Sequence, residues 1–517
     1  MFGLPILRKY SEEFVAAVEE FEKDRPVMMA YPLGELSGNH YTMGVSKTRL
    51  SIIAWGSSGN DGFVKGFSGG SAKPRLSNVK RVKDAITGKE EKGNIKKLTS
   101  NGNTSLYLTE TGYLYGCGGN PGNIIGARTE YFNLVDSNVD YYDIITCAGN
   151  QYGGNSYLLT IKDGKLYGRG NDYGGFGVAG NKANFTYLNI DDVKMVYGNA
   201  PQQKGKAFVL KKDGTVYATG YNTDGVLGTG STNYTLNSGW SQVITSDNIP
   251  LSGVVDIITS NFITTAGAGA GTPWGGVAGN SHQCTIFLTK DGEVYSTGKN
   301  NYGQLGLGQG TTYTVNVATK ISTLSGIDKI CGACGGCSLM AINNKERKVY
   351  TWGNNQWGQL GTNDLANKNS PQLLTISFDT GELITNVNGG GNHAIINGAF
   401  VMCTNFGNVY SAGYNQTYAL GFEGQNIIKV FTKHPYFGPD PTKVIKNFND
   451  TPATSGNRAL AVDLDLCGYG SEMAQKVIDK QGHLFMSGWN QNVGGFYNFN
   501  QKVGTEKVVV PSVYIMD

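Results

Sequence analysis

TIFLTKDGEVYSTG, residues 285–298, decides the fold. An apolar stretch (Ile286–Leu288) runs into Asp291-Gly292, and a second short stretch follows, ending Tyr295-Ser296-Thr297-Gly298. Asp-Gly between two extended segments is a two-residue hairpin turn, because glycine reaches positive φ without a Cβ clash. The phrase recurs at 105–118, 157–170, 207–220, 339–353, 399–413 and 475–488. Its aromatic anchors are Tyr115, Tyr167, Tyr217, Tyr295, Tyr350, Tyr410 and Phe485. A glycine stands three residues after each: Gly118, Gly170, Gly220, Gly298, Gly353, Gly413 and Gly488. Six anchors also have a glycine three residues before them; Arg347 is the exception, in a hairpin one residue longer.

Two further marks repeat. Asparagine lies two residues beyond the glycine at Asn120, Asn222, Asn300, Asn355, Asn415 and Asn490, and one residue early at Asn171. Another glycine follows at Gly126, Gly228, Gly306, Gly361 and Gly421. Both residue types tolerate left-handed backbone, so a shaped loop recurs with the hairpin. A short apolar segment precedes each hairpin, as in VDIITS or LITNVNGGG. The anchors are 50 to 78 residues apart, about 62 on average, which exceeds the ~40–45 of WD40 and the ~50 of kelch repeats. That spacing suits four-stranded sheets with variable outer loops. A ring of such sheets protects edges that a flat sheet of so many strands would leave open.

Composition agrees. Of 517 residues, 75 are glycine, roughly twice ordinary usage, and only 16% are charged. So much glycine opposes long helical bundles, and 29 tyrosines with 21 phenylalanines offer too much burial area for a disordered polyelectrolyte. A net charge of +3 gives no support to nucleic-acid or anionic-membrane binding, and no apolar run reaches the ~18 residues of a membrane helix. The apolar start (Met1–Leu7) is followed by Arg8 and Lys9, the reverse of a secretory signal, so the chain is expected in cytoplasm or assembled there. Eight cysteines fit reduced thiols better than a disulfide framework.

The residues resemble the regulator of chromosome condensation (RCC1) family, most closely at 289–306 (TKDGEVYSTGKNNYGQLG) and 349–361 (VYTWGNNQWGQLG). Gly390-x-x-His393 and Gly279-x-x-His282 match that family's motif before the hairpin. The resemblance covers about residues 95–496 and implies an all-β, RCC1-like β-propeller. Seven blades are favoured. A degenerate copy at 40–60 leaves an eighth open. Residues 1–38 are expected to form an N-terminal arm with a helix at about 10–24, and 39–517 the propeller.

No chemical motif rises above its turn or core alternative. Cys331-x-x-Cys334-x-x-Cys337 has metal-ligand spacing but lacks a second close pair, and falls where other repeats place small apolar residues. The glycine loops lack the helix that a phosphate cradle needs. The basic run 73–97 reads as a solvated loop between blades. No catalytic, cofactor or metal residue is assigned. Partner binding is placed on the arm's apolar face (Phe14, Val18, Phe21) and on two long loops that carry Trp274 and Tyr436-Phe437. RCC1-like propellers include exchange factors, chromatin binders, photoreceptors, protein inhibitors and parts of larger assemblies. For a chain rich in Gly, Asn, Thr and Tyr the leading expectation is a non-enzymatic structural or adhesive subunit of a large assembly such as a phage particle. It would be located in the virion after assembly in host cytoplasm. Its partners would be other protein subunits and a host surface receptor or glycan, with neither nucleic acid nor membrane insertion. The alternatives are a soluble regulatory binder (GTPase nucleotide exchange or protein inhibition) and a glycan-acting enzyme built from propeller loops.

Overall fold

The computed structural model describes residues 41–45, 52–56, 71–77, 95–100, 104–148, 156–172, 174–201, 205–232, 239–259, 283–308, 310, 313–333, 337–391, 398–416, 419–422, 425–435, 437–438, 460–467, 474–479 and 484–488. These form antiparallel sheets with consecutive strands side by side. The fifth is representative: Val254–Thr259, Cys284–Thr289, Val294–Lys299 and Thr314–Lys320, in that order across the sheet. Blades are numbered here along the chain: one (41–77), two (95–136), three (141–187), four (193–242), five (254–320), six (329–373), seven (384–433) and eight (461–488). Blades three and four join through parallel pairing of Ala200 with Cys147 and Pro201 with Ala148. Blades one and eight have three strands each among the described residues. Blade one is the degenerate copy, with Ile53 opposite Leu76 in the aromatic's place and Gly56 three residues on. The described residues therefore hold eight units. The expected helical arm lies outside them.

Blades three to seven are each sandwiched between two neighbours, and this sets the sequence pattern. Residues 284–289 are buried throughout, because alternate side chains serve opposite neighbours. Phe287 packs with Phe208, Leu210 and Val216 of blade four, while Ile286 and Leu288 pack with Leu339, Ala341 and Trp352 of blade six. Similar mixed clusters fill the joints between blades two and three, three and four, six and seven, and seven and eight. The anchor tyrosines face backward across these joints: Tyr217, Tyr295 and Tyr350 each lie against the preceding joint's core, and Tyr410 is inside it.

In blades two, three, five, six and seven the glycine after the anchor sits at a bulge in the pairing of third and fourth strands. Gly298, Gly353 and Gly413 have φ of 109°, 98° and 121°. A Cβ there would strike the carbonyls of Gln283, Cys337 and Gly398, so the position is closed twice over.

Main-chain staples tie blade to blade. The hairpin glycine's carbonyl accepts an N–H at the entry to the next blade: Val193 N to Gly164 O at 2.8 Å, Val254 N to Gly214 O at 3.0 Å, and Ile327 N, two residues before blade six, to Gly292 O at 3.1 Å. Where Arg347 replaces the glycine (φ 54°), Asn344 Oδ1 takes over and accepts Ile384 N at 2.9 Å. The repeated asparagine holds the next loop, its Oδ1 accepting the N–H five residues on at 2.9 Å in Asn120, Asn222, Asn300, Asn355 and Asn415. That loop then reaches the outer strand of the following blade, with Gly230 N on Asn316 O, Gly308 N on Asn369 O and Asn363 N on Lys429 O at 2.8–2.9 Å.

Candidate functional site

First strands of successive blades neighbour one another, which puts them around the common axis. There the chain gathers polar groups from five consecutive blades. Lys97 of blade two donates to Tyr142 O at 2.7 Å, lies 3.9 Å from Asp143 Oδ1 and sits 4.2 Å above the Tyr141 ring. Tyr197 of blade four donates to Asp256 Oδ1 of blade five at 3.5 Å, and Asp256 also accepts the N–H of Ile257. Lys329 and Cys331 follow from blade six. They lie within electrostatic reach of Asp256.

Burial governs the protonation of this cluster. It raises the Asp256 carboxyl, opposed by Ile257 N–H, Tyr197 and Lys329. It raises Tyr197 strongly, with the Asp256 charge adding to the effect. Tyr141 is raised as well, again by burial first, with Lys97 pulling it down. The Cys331 thiol is pushed up to about 12, by burial and then by Asp256, so it is no nucleophile near neutral pH. The group is suited to exchanging hydrogen bonds with a polar guest on the axis. Sequence reading missed it. The basic run 73–97, Lys97 included, reads in sequence as a solvated loop, whereas Ser71–Ser77 and Ile95–Ser100 are strands and Lys97 reaches blade three from the second of them. Inner strands share no motif; the cluster exists only once the ring brings them together.

The expected binding residues fare differently. Phe14, Val18, Phe21, Trp274 and Tyr436 lie outside the described residues. Phe437 is only 5% exposed: it packs in the joint between blades seven and eight, its ring 5.2 Å from His434. This aromatic is spent on the core of that joint. Large apolar side chains do stand exposed elsewhere, on fourth strands: Leu134 (50%), Leu373 (56%) and Val430 (41%) of blades two, six and seven. Among the described residues no three His, Cys, Asp or Glu side chains gather as metal ligands.

Family models named "Regulator of chromosome condensation (RCC1) repeat" match residues 291–342 and 348–396, and a second such model matches 277–304. The chain is an RCC1-like repeat protein. It is 32% identical over 123 residues to the regulator of chromosome condensation of Mus musculus, covering 24% of this chain and 28% of that protein. It is 37% identical over 98 residues to the human X-linked retinitis pigmentosa GTPase regulator, covering 19% of this chain and 9% of that one. The RCC1-like chain thus spans under a third of the length of these relatives. Among solved structures, human WBSCR16 superimposes with a TM-score of 0.49 at 17% identity, over 83% of this chain and 97% of that one.

Proposed function

We propose that this RCC1-like chain is a non-catalytic protein-binding platform, a subunit of a larger assembly such as a phage particle. Neighbouring subunits are its partners, with a host surface receptor or glycan as a further one. One observation carries the reading: Leu134, Leu373 and Val430 stand out from the rims of three blades whose interiors are sealed. Exposed large side chains on a stiff body are what a partner's surface uses. A triple Leu134→Glu, Leu373→Glu, Val430→Glu variant is expected to melt like the parent yet lose co-sedimentation with the assembled particle. A parent chain that sediments alone, apart from any larger particle, overturns the proposal.

A regulator of small GTPases is the second reading, supported by the name of one relative. Release of labelled GDP from a small GTPase, accelerated by substoichiometric amounts of the chain, would replace the first reading with this one.

A further inference from the structure

Lys206 opens the second strand of blade four, opposite Gly220, the glycine after the anchor Tyr217. The matching places opposite the bulge glycine hold Thr104, Tyr157, Cys284, Ser338 and Ala399, none carrying a positive charge. Thr104 and Ser338 spend their hydroxyls at home, donating to Gly119 O and Asn354 O at 2.5 and 2.8 Å. Lys206 instead leaves its blade. Its Nζ donates to Gln283 Oε1 of blade five, while its carbonyl accepts Tyr157 OH of blade three at 3.3 Å. Lys206 and Gln283 are both 0% exposed. Asp224 Oδ2 and Gln283 Nε2 are also buried, and neither has a hydrogen-bond partner. In sequence, Gln283 stands just after the glycine-rich insertion 259–281, at the point of return to the blade.

We propose that Lys206 is a proton-operated strap across the joint between blades four and five, tightest when its amine is uncharged and looser once it takes up a proton. A neutral amine keeps its bond to Gln283 without placing a charge in a dry site, whereas an ammonium there must be desolvated. The titratable groups facing it are Asp224 of the blade-four loop and Cys284 beside Gln283; both favour the charged amine, but burial outweighs them and lowers the amine to about 7. In an opened joint the amine returns to its ordinary 10.5. Between about 7 and 10.5 the open joint binds a proton that the closed one does not. Closure is therefore favoured up to tenfold per pH unit as pH rises, and below about 7 the dependence ends. The strap sets how firmly the strand returning from the insertion is held.

Amide hydrogen exchange on the full-length chain at pH 6, 7, 8 and 9 tests this, with rates corrected for intrinsic chemistry. Peptides covering 284–289 are read against 338–343 as an internal reference. In the parent, relative protection of 284–289 is expected to be flat from pH 6 to 7 and to rise up to tenfold per unit above that. Lys206→Met is expected to abolish the slope and Cys284→Ser to keep it. A flat parent, a Lys206→Met variant with the parent's slope, or loss of the slope in Cys284→Ser overturns the proposal. Should Lys206→Met fail to fold, the Nζ signal of Lys206 in the parent decides by nuclear magnetic resonance: a midpoint near 7 upholds the strap and one near 10.5 removes it.

Discussion

Gly298 and Gly308 both adopt left-handed backbone, with φ of 109° and 73°, but their surroundings differ. A Cβ on Gly308 meets nothing within 4 Å. One on Gly298 runs into Gln283 O and comes within 2.8 Å of Cys284 Cα, neither of which can swing aside. Gly308→Ala is expected to cost about 1 kcal/mol, the ordinary strain of a positive φ. Gly298→Ala adds an overpacking term and is expected to cost about 2–4 kcal/mol. Urea unfolding of the two variants side by side reads the difference; equal losses would mean that the bulge relaxes freely. These glycines were legible in the sequence because a local backbone constraint admits one residue type. So was the asparagine, whose Oδ1 meets an amide five residues on wherever the loop recurs. Lys97, Tyr197 and Asp256 were not, since their neighbours come from different blades and nothing near them in the chain announces it.

At the scale of an element, the repeating object is the joint rather than the blade. Two residues after the anchor, a side-chain donor reaches back to the preceding loop: Thr297 Oγ1 to Gly225 O at 2.8 Å, Trp352 Nε1 to Gln304 O at 3.0 Å, Ser487 Oγ to Ala419 O at 3.0 Å. Different donors do the same work, which is why the sequence showed the position only as an unmarked x between aromatic and glycine. Thr297→Val keeps the shape and removes the donor, leaving a buried carbonyl one partner short. A loss of about 1–2 kcal/mol is expected in urea unfolding, with faster amide exchange in 284–289 than in 338–343. An unchanged stability would show that the loop is held by its asparagine alone. Burial on both faces also explains why second strands such as Ser338–Asn343 read as continuous apolar runs instead of alternating.

For the whole molecule, the axis is where the blades' separate electrostatics become one. The Asp256 carboxyl is raised by burial, so the folded ring prefers its protonated form more than the unfolded chain does. Its charge therefore weighs against folding above that raised value, and the penalty disappears as pH falls toward the ordinary 3.8. Asp256→Asn is expected to raise the urea midpoint at pH 7.5 relative to the parent, with the gain shrinking at pH 4. A gain that is the same at both values would trace it to packing rather than to charge. The ring itself was legible from the spacing of the anchors. The count of units was less so, because blade one carries Ile53-Ala54-Trp55-Gly56 where the others carry an aromatic.

The staples between blades run from a hairpin carbonyl to an amide at the entry to the next blade, and from a loop amide to an outer-strand carbonyl. Peptide groups make them, save between blades six and seven, where Asn344 Oδ1 stands in for the carbonyl. Leu134, Leu373 and Val430 thus bear no mechanical duty on the perimeter. The outward surface is free to be rewritten residue by residue, to suit whatever it must grip, while the wheel beneath stays true.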